Sequence, residues 1–417
     1  STPDGKKENA NLKLYSKAMA EVASQYKIQF VDLFSITQKW FPGGKVYTRD
    51  GALLNDAGYK KLAPVLADLI FGKSPVKGNE IKIHQAVTEK NWLWKKYYKI
   101  PNGVHVAGRR HGPYGPKNYP AELKKLKEMT DLRDELIWAT LNNKSFDLAA
   151  ADAKTSPLAI IKTNFNPKNR KNGTKEYLSG ENSLKTIKVA KGYKMELFAS
   201  EKEFPNLANP CQISFDNKGR LWVAVMPIYP QYEPGAPRPA DKLLILEDTN
   251  GDGKADKETV FADKLHLPLG FEFAPEGVYV SQGNDLILLK DTDGDDKADV
   301  REIVFSGFDD HDTHHAISAF CADPSGAILM GEGTFLHSNV ETAYGPIRSS
   351  NGGFFRYSPQ NRRLERTARL SIPNPWGIAF DEWGQDFFLD TSDANFRWML
   401  PGSVNLPYGE FTPNPDN

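Results

Sequence analysis

Two cysteines in 417 residues, Cys211 and Cys321, leave the chain without the clustered thiols that a disulfide framework, a CxxC zinc site or a CxxCH haem attachment would need. Their separation predicts two buried free thiols. A charge of one sign is lacking too: Lys+Arg and Asp+Glu both total 53, so the formal net charge is zero and the basic surface of a nucleic-acid binder is absent. No apolar run reaches the ~18 residues of a membrane helix. The opening residues STPDGKKENA hold no hydrophobic signal core. These absences predict soluble material, and the length predicts two or three domains. No compartment is written in them.

What is present changes texture along the chain. Residues 8 to 27 place Leu12, Tyr15, Met19 and Val22 at helical spacing, and IQFVDLF after them predicts a short buried strand. A second helix is expected after RDGALLNDAG, with Leu62, Val65, Leu66, Leu69 and Ile70 on one face and Asp56 as its cap. Residues 1–75 therefore read as the end of an α/β layered domain. Residues 76–155 begin with an aromatic, basic stretch of little periodicity, expected to be a packing extension or loop. An amphipathic helix over 120 to 141 follows, with Leu123, Leu126, Met129, Leu132, Leu136 and Ile137 inward and Pro120 near its start. Residues 156–185, polar and rich in Gly and Asn, predict a linker.

Residues 186–417 carry short strand patterns between Gly and Asp turns. LLILEDTNGDGKADKETVFAD from 243 recurs as LILLKDTDGDDKADVREIVFSG from 286, a period suited to one four-stranded propeller blade. Four strand–Gly turn–strand units can be counted, so a six-bladed ring would be incomplete in this chain. The repeated loops offer oxygen ligands at alternate positions: Asp248, Asn250, Asp252 and Asp256 in the first, Asp291, Asp293, Asp295 and Asp299 in the second, with Glu302 twelfth in that loop. Such spacing can converge on calcium, or can serve as a hairpin turn. Neither loop completes the EF-hand pattern, since Thr259 stands twelfth in the first and Asp296 sixth in the second.

One stretch concentrates chemistry. DDHDTHHAISAF, from 309, holds three aspartates and three histidines in seven positions before turning apolar. A transition-metal patch, a catalytic loop and a hydrogen-bonded structural loop are all open to it. His314 and His315 are adjacent and would point opposite ways in an extended chain, which makes a single site using all three histidines awkward.

Two resemblances bear on these residues. DGALLNDAGY resembles the last signature block of SGNH/GDSL-type hydrolases, with Asp50 matching its Asp and Leu53 standing where the His of the catalytic base belongs. This implies a hydrolase-like layer kept as a scaffold, with esterase activity a lower alternative. From 180 to 417, SLKTIKVAKGYKMELFASE, NPCQISFDNKGRLWVAVMPIYP, FDDHDTHHAISAF, SNVETAYGPIRSSNGGFFRY and NPWGIAFDEWGQ resemble the propeller of a planctomycete-type family of membrane-bound, sorbosone-type dehydrogenases. Those propellers are similar in turn to soluble quinoprotein sugar dehydrogenases.

The resemblance implies a pyrroloquinoline quinone with calcium over the ring, and His315 as the base that draws the proton from a sugar hydroxyl, oriented by His314 or Asp312. It assigns Asn374, Trp376, Arg348 and Arg397 to the cofactor and Ser392 and Asp393 to the active-site calcium. It implies export to the periplasm or cell envelope and electron transfer to a cytochrome partner, haem c not being part of this chain. Pro373, before Asn374, departs from the Arg expected there. The leading expectation is oxidation of a sugar or polyol hydroxyl. The alternative is a non-catalytic propeller that binds carbohydrate or protein.

Overall fold

The computed structural model describes residues 5–41, 44–51, 53–73, 79–112, 115–160, 178–237, 241–368 and 372–399. Its first part is helical. α1 (Lys6–Gln25) forms as expected, but Leu12, Tyr15, Met19 and Val22 are each more than half exposed, so its apolar stripe is uncovered. The expected strand after it is instead α2 (Leu33–Thr37): Asp32 accepts the Ser35 N–H at 3.0 Å and turns VDLF into a capped helical turn. α3 (Asp56–Phe71) is capped by Asn55, which accepts the Gly58 N–H, and Asp56 sits in its first turn. Among the described residues up to 75 there is one β-bridge, Thr48 to Leu54, and no strand, so the layered α/β arrangement expected here is not seen.

The stretch expected to be aperiodic is mostly helix. α4 (Glu80–Tyr98) starts at the Asn79 cap, and a short α5 (Gly103–Val106) follows. α4 packs on α6 (Gly115–Leu141) through Leu93, Leu126 and Met129, joined by Tyr232. Its other side turns Lys95 and Lys96 toward the sheets, where they reach Asn284 and His266. A helix read by two different partners shows no single apolar stripe. α7 (Leu148–Asp152) and α8 (Gly180–Leu184) are short.

The remainder is β-sheet in four units. β1 (Pro210–Phe215), β2 (Leu221–Val225), β3 (Asp241–Glu247) and β4 (Lys257–Leu265) pair in sequence order. β5 (Phe271–Ala274), β6 (Gly277–Gln282), β7 (Asp285–Lys290) and β8 (Val300–Ser306) repeat the pattern. β9 (Ser318–Ala322) and β10 (Ile328–Glu332) are followed by a small hairpin, β11 (Asn339–Val340) and β12 (Ile347–Arg348). β13 (Gly353–Ser358) and β14 (Arg363–Ala368) then complete the third sheet, in the order β14-β13-β10-β9. β15 (Pro375–Phe380), β16 (Asp386–Asp390) and β17 (Asn395–Trp398) make the fourth.

Neighbouring pairs are antiparallel throughout, which is the build of propeller blades. Gly277, at φ +147, makes the β5–β6 turn, where a Cβ would lie 2.3 Å from the Leu289 carbonyl oxygen. The leading strands of successive sheets meet around a common centre: β5 touches β9, β9 touches β15, and Gln212 on β1 donates to the Phe271 and Phe320 carbonyls. Between sheets the core is apolar, with Phe308, Phe355, Ile317 and Met330 in one cluster and Phe271, Leu243 and Val280 in another. The arrangement is propeller-like with four sheets; a six-bladed ring is not seen among the described residues. Both cysteines are free and only partly buried.

Candidate ligand site on the central face

The stretch DDHDTHH leads into β9, the innermost strand of the third sheet. It does not run extended. Thr313–His315 form a 3₁₀ turn, which brings the adjacent His314 and His315 rings to one side with centroids 3.9 Å apart. Both face Asp312. His314 Nδ1 lies 2.7 Å from Asp312 Oδ1, and His315 Nδ1 lies 3.3 Å from Oδ2. A third imidazole comes from α5: His105 Nε2 is 3.7 Å from Asp312 Oδ1.

Asp312 is fully buried, and although three ring nitrogens are near, none is aligned to hydrogen-bond either carboxylate oxygen. Burial alone would push its carboxyl up. The surrounding imidazoles, His314 first, outweigh that and hold it below the usual carboxylate range. A charged group is thus held out of water with His314, 2.7 Å away but off line, as its nearest donor, an expensive state that a partner would relieve.

His315 is only 3 % exposed, and both of its ring nitrogens have partners: Nδ1 lies 2.9 Å from the Thr334 carbonyl and Nε2 lies 2.8 Å from Asn374 Oδ1. Asn374 donates onward to the Ser392 hydroxyl at 2.7 Å. Burial, then the neighbouring His314, keeps the His315 ring below the ordinary imidazole range. The ring expected to project into a pocket is packed inside. His314 and His105 are the accessible imidazoles, with side chains 26 % and 36 % exposed. His311 is exposed, and a Cβ on Gly103 would overlap its ring.

The segment from the end of α4 to α6 lies against this loop. Asn102 N donates to the Asp310 carbonyl and Val104 N to that of His311. Lys99 Nζ approaches Asp310 at 3.7 Å. Farther along, Arg109 and Arg110 stand over the Phe335 ring at 3.9 and 4.8 Å, and Phe335 lies beside His315 at 5.8 Å. Tyr229 is 42 % exposed, and burial together with the charge of Asp312 pushes its hydroxyl up. Sequence reasoning missed His105, Arg109, Arg110 and Tyr229. The signal was the stretch GVHVAGRRH, whose histidine and paired arginines sit among glycines that let a backbone come close.

The residues expected to hold a quinone do not form a cradle. Trp376 packs against Met226, Leu267, Leu269 and Ala316 at the centre. Arg348 Nε donates to Asn339 Oδ1, Arg397 is paired with Asp393, and Pro373 brings no donor. Asn374 is shared by His315 and Ser392. An anionic planar quinone is held by cationic donors, and the two arginines of this set are already engaged with Asn339 and Asp393.

The aspartate loops lie elsewhere, at the β3–β4 and β7–β8 turns. In the first, Asp248 accepts the N–H groups of Gly251, Asp252 and Gly253, and Asp256 accepts from Thr249 and Asn250. In the second, Asp291 accepts from Gly294, Asp295 and Asp296. Asp291, Asp293 and Asp299 do come together at metal-ligand separation, on the exposed rim. Asp295 lies by Lys297, 3.5 Å away. Glu302, twelfth in that loop, pairs with Lys290 across the β7–β8 ladder at 2.9 Å, because the strand that follows the loop directs it there. At the other end of the chain, Asp50 accepts the Leu53 N–H at 2.7 Å and so serves a turn.

No curated protein matches this chain. Three solved structures similar to it are sugar-linked enzymes by name. A Trichoderma reesei carbohydrate-active enzyme of family AA12 has TM-score 0.34 and 14 % identity over 48 % of this chain and 49 % of its own. The pyranose dehydrogenase PQQ domain of Coprinopsis cinerea has TM-score 0.31 and 13 % identity over 46 % and 48 %. A gluconolactonase of Xanthomonas campestris has TM-score 0.27 and 19 % identity over 43 % and 53 %. The chain spans about half the length of each. No described helix is long and apolar enough to cross a membrane. Residues 179–413, more than half of the chain and all four sheets, match the family profile described as "Domain of unknown function (DUF7133)", and the chain belongs to that family.

Proposed function

We propose that the central face binds a sugar or polyol through its hydroxyl groups, with Asp312 as the floor of the site and His105 and His314 as its rim. The observation that carries this reading is the buried Asp312 carboxylate, which no group meets in good hydrogen-bond alignment although two accessible imidazoles border it. A hydroxyl suits that floor: it donates to a carboxylate and accepts from an imidazole N–H in the same contact. The 3.7 Å between His105 Nε2 and Asp312 Oδ1 is too long for a direct bond and leaves a place for a ligand oxygen. Tyr229 offers an exposed ring for the apolar face of a sugar.

Oxidation of the bound hydroxyl is a second reading, favoured by His105. An accessible imidazole beside a buried carboxylate is the proton acceptor that carbinol oxidation needs. The proton would pass to His105 and the hydride to a two-electron acceptor from outside the chain.

Calorimetric titration with aldoses, alditols and aldonates tests binding. At least one class is expected to bind, about tenfold to a hundredfold more weakly in His105→Ala and in Asp312→Asn, and equally well in His311→Ala. Binding by none of them, or an equal loss in His311→Ala, contradicts the reading. Sugar-dependent dye reduction lost in His105→Ala would favour oxidation.

A further inference from the structure

We propose that Asp312, His314 and His315 hold a divalent transition-metal ion. The inference rests on the preceding reading only for its place in the fold, since an ion can be bound there whether or not a sugar is. Three features point to it.

One ligand atom from each of the three side chains lies within 4.8 Å of the others. A tetrahedral ion with bonds of about 2.0–2.1 Å sets its ligand atoms about 3.3 Å apart. His315 Nδ1 and Asp312 Oδ2 already stand 3.3 Å apart, and His314 Nδ1, at 2.7 Å from Oδ1, has only to draw back slightly.

The carboxylate is fully buried and has no well-aligned hydrogen bond, so the charge at the centre of the site is compensated only by off-line imidazoles. A cation between Asp312 and the two rings supplies it.

The third feature is the outer network. Asn374 Oδ1 faces His315 Nε2, and Asn374 Nδ2 donates to Ser392. With that amide orientation Nε2 carries the proton, and the lone pair of the neutral ring is at Nδ1, the atom that faces Asp312. Metal-ligating histidines are held in this way, donating the far N–H to an oxygen that fixes the tautomer. The same Nδ1 lies 2.9 Å from the Thr334 carbonyl, so an ion bound at Nδ1 displaces that contact.

The donor chemistry selects the ion. Two imidazoles and one carboxylate suit zinc or ferrous iron, whereas calcium and magnesium take oxygen ligands. His105 lies outside this set and stays available at the rim. The adjacency that argued against a shared site is overcome by the 3₁₀ turn, which brings both Nδ1 atoms within 3.3 Å of an Asp312 oxygen.

The test uses the full chain, purified without chelators and dialysed, with metal measured by elemental analysis. The expected result is about one equivalent of zinc or iron, with the element found saying which. After chelator stripping, Zn²⁺ titrated calorimetrically should rebind at one site, and affinity should fall at least a hundredfold in His314→Ala. His311→Ala should bind as the parent does. His314 is partly exposed, so its variant is expected to fold, and circular dichroism checks this. A stripped protein that takes up no Zn²⁺, or a His311→Ala variant as impaired as His314→Ala, overturns the proposal. Sugar binding that survives metal removal while no ion is found sinks the metal and spares the binding site. An ion bound with no sugar binding does the reverse.

Discussion

At about pH 8, Glu332→Gln is expected to be more stable than the parent protein by roughly 3 kcal/mol, a difference that should disappear as the pH is lowered toward 4.5. Glu332 ends β10 with no exposed surface, and its two oxygens accept from the hydroxyls of Ser338 and Ser349. Burial raises its pKa from 4.5 to about 7 against the pull of those hydroxyls. Between these values the folded protein holds a proton that the unfolded chain has released, so stability falls as the pH rises from 4.5 to 7 and stays low above that. Glutamine keeps the shape without the ionisation. Urea unfolding of both proteins at several pH values measures the effect. Parallel pH profiles, or a variant less stable at every pH, would show that Glu332 is ionised in the fold.

The helical part has its own buried charge. Arg133 on α6 is 4 % exposed and pairs with Glu89 on α4 at 2.7 Å and with Asp152 on α7. Burial works against its charge and the two carboxylates more than restore it. Removing one member of a buried ion cluster leaves the others uncompensated, at a cost of about 3–5 kcal/mol. Because Glu89 and Asp152 reach solvent, Arg133→Ala is expected to cost nearer 3 kcal/mol. The combined change Arg133→Met, Glu89→Gln, Asp152→Asn should recover most of it. Thermal unfolding followed by circular dichroism distinguishes these cases. A single variant with an unchanged midpoint would show that the three helices are held by Leu93, Leu126 and Met129 alone.

The sheets were legible because their signals are local. The repeated turns around Asp248 and Asp291 and the Gly turns at Gly219, Gly277, Gly326 and Gly384 fall between strands that pair with their sequence neighbours. The first part was less legible. VDLF has strand composition, but Asp32 three positions before Ser35 makes a helix cap, and α4 hides its period by serving two interfaces.

At the site, the sequence marked Asp312, His314 and His315, which are together in the structure. It could not show which ring is buried, because that depends on Thr334 and Asn374, each distant in sequence from the His315 ring it meets. The placing of His105 beside Asp312 was beyond reach for the same reason. It meets Asp312 only because α5 is tied to the loop by backbone bonds from Asn102 and Val104.

Hydrogen exchange measured with and without a bound polyol or aldonate tests the central claim, that the Asp312 face is where the protein takes its ligand. The account predicts protection confined to residues 99–111, 309–316 and 374–376, lost in Asp312→Asn. Protection at the cleft lined by Leu93, Arg133, Asp152 and Tyr232, with the 309–316 loop unchanged, would contradict it.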